Sequence, residues 1–281
     1  MLKIGYLGPE GTFSEEASLQ YKNKIGKGRY IPYPTIHDLL ISLDKGKLDE
    51  GVLPIENSVE GTIGIVTDML VNDVDLKIKQ ELVIPVKHYL LAKKIVPVKQ
   101  ITDVISIPNA LDQCKTYLRK KLPNAKLHFT YSTAEAARKV ASEIEMFGKG
   151  SPAAIANKAA AKLYGLKIIA SEINDYPDNS TRFVVLSKRD HERTGIDKTS
   201  IVFSILKDRP GGLYKVLGEF ADRKINLTKI ESRPTKRTLG DYYFFVDMQG
   251  HRNDANVRDA IRDIKKTTSF LKILGSYPRF S

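Results

Sequence analysis

Residues 188–198 read KRDHERTGIDK, from Lys188 to Lys198, and this polar, aperiodic stretch separates two different patterns. Beyond it six elements follow in about 80 residues. Thr199–Leu206 reads as a strand and Gly212–Lys224 as a helix. Ile225–Ser232 and Asp241–Met248 read as strands joined by a polar turn. Asn253–Thr267 is a helix with Val257, Ile261 and Ile264 on one face, and Phe270–Tyr277 is a last strand. The order βαββαβ predicts a ferredoxin-like sandwich, which says little about function by itself. Before the stretch, short apolar runs alternate with amphipathic helices. Lys3–Leu7 is a buried strand. Thr12 and Glu15 have capping-box spacing for a helix to about Lys22. Thr35 and Asp38 open another helix that Gly46 stops, and Glu50–Ile55 is a strand. Ser132 with Glu135 opens a helix running to Gly148. Ser151-Pro152 reads as an N-cap and N1 proline before a helix over Ala153–Tyr164, closed by Gly165. Such alternation predicts an α/β domain with parallel strands. The expected division is residues 1–188, a linker over 189–198, and residues 199–281.

The 281 residues suit two domains, and a hydrophobic fraction of 42% supports packed cores. A single cysteine, Cys114, excludes an intramolecular disulfide framework and fits a reducing compartment. No run approaches the ~18 apolar residues that span a bilayer, and the first apolar run is too short for a signal peptide. The expectation is a cytoplasmic protein without membrane partners. The net charge of +12 is spread among 33 acids. Its densest clusters, Lys22–Arg29 and Arg119–Lys121, form no stripe and carry no known binding motif. Nucleic acid is therefore not an expected partner, and the field suits steering of a small anion. The five histidines have no metal-ligand spacing, Cys114 has no cysteine partner, and no GxGxxG or Walker loop occurs. Neither a metal nor a nucleotide cofactor is expected.

Four segments depart from ordinary scaffold. Gly8-Pro9-Glu10-Gly11-Thr12-Phe13-Ser14 follows the first strand. It is either a strand–helix turn with Thr12 as N-cap, or a place where hydroxyls and free helix N–H groups meet an anion. Pro54-Ile55-Glu56-Asn57-Ser58-Val59-Glu60-Gly61 sets donors and acceptors at a strand end. A turn explains Asn57 and Ser58, and Glu56 less easily. Asn179-Ser180-Thr181-Arg182-Phe183 enters an apolar run. Arg182 is either a surface arginine or a two-pronged carboxylate ligand beside the Thr181 hydroxyl. In the C-terminal part, Asp208-Arg209-Pro210-Gly211-Gly212-Leu213 and Glu231-Ser232-Arg233-Pro234 lie at loop positions able to flank one edge of the sandwich.

Together these segments resemble the prephenate dehydratase family. GPEGTFS is similar to its GPxGTFS motif, PIENSVEGTIG to PIENS-x-x-G, and NSTRF to the signature ending in Thr-Arg-Phe. GGLYKVL and ESRP are similar to the GAL and ESRP motifs of its C-terminal ACT domain. The family's Ser-His-Pro-Gln-Ala-Leu appears here as Ser106-Ile107-Pro108-Asn109-Ala110-Leu111, followed by Gln113. Ile107 thus replaces its histidine, and Gly212 replaces the alanine of GAL. The resemblance implies a catalytic part of two α/β lobes, like periplasmic binding proteins, and a cofactor-free hydro-lyase that converts prephenate to phenylpyruvate, water and carbon dioxide. It also implies roles. Arg182 binds a substrate carboxylate, Thr181 meets the leaving hydroxyl, and Asn57, Ser58 and Thr12 position the substrate. Asn179, Ser180 and Phe183 complete the binding set, while Glu56 either tunes this network or is structural. L-Phenylalanine would bind at an interface between ACT domains, on Gly211, Gly212, Leu213, Glu231, Ser232, Arg233 and Pro234, in a homodimer or homotetramer. Two other readings stand beside this one: an arogenate dehydratase, and a non-catalytic ligand-binding protein fused to an amino-acid sensor.

Overall fold

The computed structural model describes residues 1–142, 150–206, 210–236 and 240–280. Strand β1 (Leu2–Leu7) is followed by α1 (Phe13–Ile25), β2 (Gly28–Tyr33), α2 (Ile36–Asp44), β3 (Glu50–Asn57) and the short β4 (Gly61–Thr62). Next come α3 (Gly64–Asn72), β5 (Lys77–Pro85), β6 (Tyr89–Ala92), β7 (Asp103–Ser106), α4 (Pro108–Asp112) and α5 (Lys115–Lys121). The chain continues through β8 (Lys126–Phe129), α6 (Thr133–Ala141), β9 (Pro152–Ala156), α7 (Lys158–Leu163), β10 (Lys167–Ala170) and β11 (Ser180–Ser187). The last part is β12 (Asp197–Ile205), α8 (Gly212–Ala221), β13 (Leu227–Pro234), β14 (Tyr242–Gln249), α9 (Ala255–Thr267) and β15 (Thr268–Pro278).

Three sheets result. Their orders are β2–β1–β3–β11–β5, with β4 on β3; β10–β6–β9–β7–β8; and β13–β14–β12–β15. The third is wholly antiparallel, with Ile201 opposite Val246 and Ile273, as the βαββαβ reading requires. The second is mixed rather than parallel. β7 runs parallel to β8 and β9, but β6 runs antiparallel to β9 and β10. β6 follows β5 directly, with no helix between them among the described residues.

The helix expected over Ala153–Tyr164 is corrected. Pro152–Ala156 is a strand, and α7 starts only at Lys158, capped by the Asn157 side chain, which accepts from the Ala160 N–H at 2.8 Å. Alanine favours helices, but Ala153–Ala156 lie fully buried between β6 and β7. Burial on both faces outweighs a few tenths of a kcal/mol of propensity. The Ser132 helix begins as expected, with Ser132 accepting from Glu135 N–H, and its expected continuation over 143–148 lies outside the described residues. So do Asp208 and Arg209.

The chain packs as two compact units. One comprises Met1–Leu39, Val52–Ile63 and Val83–Phe183, the other Leu40–Gly51, Gly64–Leu82 and Val184–Ser281. In the first, Leu90, Val104, Leu111 and Ile155 fill one face of the second sheet, and Leu91, Ile105, Ala137 and Ala154 the other. In the second, Ile201, Phe203, Val216, Phe220, Val246 and Ile264 join the βαββαβ sheet to its two helices. There α3 is gripped at both ends. Lys272 donates to the Leu70 and Val74 carbonyls at 2.7 and 2.9 Å, and the Arg233 guanidinium lies over Gly64 and pairs with Asp68. The Lys198–Glu81 ion pair of that unit, at 2.8 Å, is almost wholly buried. Among the described residues, no helix is long and apolar enough to cross a membrane.

Candidate active site

A cavity of about 380 Å³ opens in the first unit, within the usual size of small-molecule sites. It is bordered by the ends of β1 and β3, the start of β11 and the starts of α1, α4 and α6. The N-terminal turns of α1 and α6, whose first N–H groups have no intrahelical acceptor, thus border one hollow. No lysine or arginine is among its described lining residues.

Asn57 organises the polar wall. Its Oδ1 accepts the backbone N–H groups of Val59 and Glu60, both at 3.0 Å, so its amide can face only one way. The Nδ2 group therefore points at Asn179 Oδ1 (2.8 Å), Thr181 Oγ1 (2.9 Å) and the Ser180 carbonyl (3.2 Å). Since Thr181 accepts this hydrogen bond and has no acceptor for its own proton among the described residues, its O–H is left to donate into the cavity.

A second amide extends the wall. Gln113 Nε2 donates to Glu60 Oε1 at 3.0 Å, while its Oε1 accepts from Asn179 Nδ2 at 3.0 Å and lies 3.2 Å from His88 Nε2. With a carbonyl oxygen opposite it, His88 carries its proton on Nε2. The other nitrogen, Nδ1, is buried and has no hydrogen-bond partner. Burial lowers the His88 pKa to about 4 against a smaller upward effect of Gln113, so the ring is neutral near pH 7. Below its ordinary value near 6.5 the unfolded chain takes up a proton that the folded chain refuses until about pH 4. Stability is therefore unaffected by this group above 6.5 and falls as pH drops from there toward 4, by up to roughly 3 kcal/mol. Thermal melts of the wild type and His88→Asn at pH 7.5 and 4.5 check this. The wild type is expected to lose more on acidification, and equal losses would contradict it.

The residues singled out by sequence are divided by the fold. Thr12, Asn57, Thr181 and Phe183 border the cavity. Thr12 also caps α1, accepting from Glu15 N–H at 3.3 Å while Glu15 reaches back to Gly11 N–H at 2.6 Å. Asn179 stands one hydrogen bond behind, between Asn57 and Gln113. Ser58 and Ser180 tie two backbones together. Ser58 N–H donates to the Ser180 carbonyl, and Ser180 N–H donates to Ser58 Oγ. Arg182 and Glu56 are outside the lining and pair with each other at 3.4 Å. Adjacent strand residues face opposite sides, so a cavity that takes Thr181 and Phe183 does not also take Arg182.

His88, Gln113, Glu60, Phe13 and Tyr131 border the cavity and were not singled out. No local pattern marks His88, whose place comes from a hydrogen bond to Gln113 across 25 residues. Gln113 stood beside the Ile107 segment without an assigned part. Ile107 borders the cavity as an apolar wall.

In the second unit Gly211, in a left-handed conformation, precedes Gly212 and Leu213 at the start of α8. Glu231, Ser232, Arg233 and Pro234 end β13, an edge strand. Glu231 and Arg233 share the less exposed face. Arg233 pairs there with Asp68 (3.2 Å) and Glu231 (3.4 Å). Among the described residues no group of three acids, histidines or cysteines could hold a metal.

A family model for prephenate dehydratase matches residues 4–191, and one for the ACT domain matches residues 199–266. The bifunctional chorismate mutase/prephenate dehydratase of Aquifex aeolicus is 42% identical over 278 residues, covering 99% of this chain and 74% of its own. The prephenate dehydratase of Methanocaldococcus jannaschii is 38% identical over 281 residues, 98% of this chain and 97% of its own. The crystal structure of a prephenate dehydratase from Arthrobacter aurescens in complex with L-Phe superposes with a TM-score of 0.88 at 35% identity, covering 99% of this chain and 90% of that one.

Proposed function

From the premise that this chain belongs to the prephenate dehydratase family, we propose that the cavity lined by Asn57, Thr181 and His88 is where prephenate reacts. The reaction is decarboxylating dehydration to phenylpyruvate. The bond to the departing carboxylate breaks, its electron pair enters the ring, and the ring carbon–oxygen bond breaks to give an aromatic product. Its driving force lies in the substrate, so the protein's task is to bind a dianion and assist departure of a poor leaving group.

The carrying observation is the hydroxyl of Thr181, which accepts from Asn57 and keeps its proton free. It donates to the leaving oxygen as negative charge grows there, and solvent supplies the proton that completes water. The substrate carboxylate that is retained meets first-turn N–H groups of α1 and α6 beside Thr12, Ser14, Ser132 and Thr133 rather than Arg182. Leu7, Ile63, Ile107 and Phe183 keep the carboxylate that is lost poorly solvated, which favours its departure as neutral carbon dioxide. Arg182 and Glu56, paired outside the lining, act as structural support.

In the same reading the ACT domain binds L-phenylalanine at a contact between protomers that joins the β13 edge, with Gly211–Leu213 and Glu231–Pro234 at the ligand, and the enzyme works as a cytoplasmic homo-oligomer. A coupling of order 1–3 kcal/mol would change the affinity for substrate five- to 150-fold. Phenylpyruvate measured by its absorbance in alkali, from prephenate and from arogenate side by side, with and without millimolar phenylalanine, tests all of this. Turnover of prephenate is expected. Neither substrate reacting would sink the active-site reading. Unchanged rates with no heat of phenylalanine binding would sink the regulatory one.

A further inference from the structure

The amide wall has a direction, and Glu60 is in contact with it at both ends. At one end the Glu60 backbone N–H donates to Asn57 Oδ1; at the other its carboxylate accepts from Gln113 Nε2. Between these lie Asn57, Asn179 and Gln113, each of which hydrogen-bonds in either sense if its amide turns over. A backbone N–H can only donate and a carboxylate only accept, so the two groups of Glu60 leave a single polarity. Turning Gln113 over would set its carbonyl against the Glu60 carboxylate and its NH₂ against the Asn179 NH₂. It would also present a donor to His88 Nε2, which would then have to accept, moving the imidazole proton to Nδ1.

We propose that Glu60 is a positioning residue: its carboxylate and backbone N–H hold the Gln113, Asn179 and Asn57 amides in one sense, so that His88 stays in the Nε2–H form and Asn57 keeps donating to Thr181, whose own proton stays free for the cavity. This rests on the reading of the cavity as the prephenate site. It assigns the donor in that site to Thr181, and it makes a side chain that borders the cavity responsible for keeping that proton free. A leaving hydroxyl gathers negative charge as it departs, so the group beside it must be held as a donor.

The test uses the full-length enzyme. Glu60→Gln keeps shape but allows Gln113 to turn over. The variant is expected to lose roughly ten- to a hundred-fold in kcat, the scale seen when a partner that orients an active-site side chain is removed, with KM within about threefold of wild type. With ¹⁵N-labelled histidine, the wild-type His88 signals should show an Nε2–H ring, and the variant should shift toward Nδ1–H; His88→Asn assigns the resonance. The exchange Glu60→Gln with Gln113→Glu puts an acceptor-only group where Asn179 and His88 need one, and should restore both the tautomer and most of kcat. Wild-type kcat with an unchanged imidazole pattern in Glu60→Gln overturns the proposal, and so does a folded exchange variant as poor as the single one. If Glu60→Gln fails to fold, Glu60→Ala gives the same two readings. Because the tautomer is read without substrate, its behaviour is independent of whether prephenate is turned over. An inactive wild type with the expected tautomers would fault the reaction assigned to the cavity and not the role of Glu60.

Discussion

Thr181→Ala is expected to lower kcat by roughly 10²–10⁴-fold, the range for groups that assist proton transfer, with little change in melting temperature. The two halves of that expectation have separate causes. Thr181 is 8% exposed, and its Oγ is the only hydroxyl shown accepting from Asn57 with its own proton free at the cavity. Removing it takes away the donor at the leaving oxygen. A threonine is a weak acid, so its value lies in fixed orientation in a poorly solvated site. Stability suffers less, because Asn57 Nδ2 still has Asn179 Oδ1 and the Ser180 carbonyl as acceptors, and no buried donor is orphaned. The cost should stay near 1 kcal/mol. Thr181→Val, which keeps the shape, should be as inactive as Thr181→Ala. Thr181→Ser should keep most of the rate. Steady-state kinetics alongside thermal melts decide it: an Ala variant within threefold of wild type would remove this hydroxyl from the mechanism.

Local rules made part of this legible in advance. The Thr12–Glu15 and Thr35–Asp38 spacings are caps in the structure, with Asp38 N–H donating to Thr35 Oγ1 at 3.0 Å. The βαββαβ order survives with its ends shifted by up to three residues. Asn57, Asn179 and Thr181, some 120 residues apart in sequence, share one network, as two segments at strand ends would if they met. What misled were rules applied without their neighbours. Ala153–Ala156 reads as helix by propensity, and only its place between two strands makes it β. Arg182 adjoins Thr181 in sequence, but a period of two sends the two side chains to opposite faces, and Arg182 lies outside the cavity lining. His88 and Gln113 were beyond reach, because their roles come from a hydrogen bond spanning 25 residues and a cavity no local pattern encodes.

Gly275→Ala is expected to destabilise the second unit by about 3 kcal/mol, at the high end for overpacking, which typically costs 1–3 kcal/mol. The position is unusual because nothing soft surrounds it. A Cβ built there would overlap the Ile78 carbonyl oxygen and come within 2.7 Å of the Ile78 nitrogen and 3.0 Å of its carbonyl carbon. At Gly64 the same test meets only the Arg233 guanidinium, the end of a flexible side chain that can swing away. At Gly275 the obstacle is backbone, so a strand must move. Neither strand moves cheaply. Gly275 faces Ser200 across β12, and a register shift between Ser200 and Ile201 adjoins it. Its neighbour Ser276 is buried and hydrogen-bonded to Thr199 at 2.9 Å, and Ile78 is itself buried. Displacing β15 would also loosen Lys272, whose ammonium closes the carbonyls at the end of α3. Denaturant unfolding checks this, with Gly64→Ala as the comparison. Gly64→Ala should unfold within about 1 kcal/mol of wild type, whereas a Gly275→Ala midpoint equal to the wild-type one would mean that the close approach of β15 to Ile78 relaxes freely.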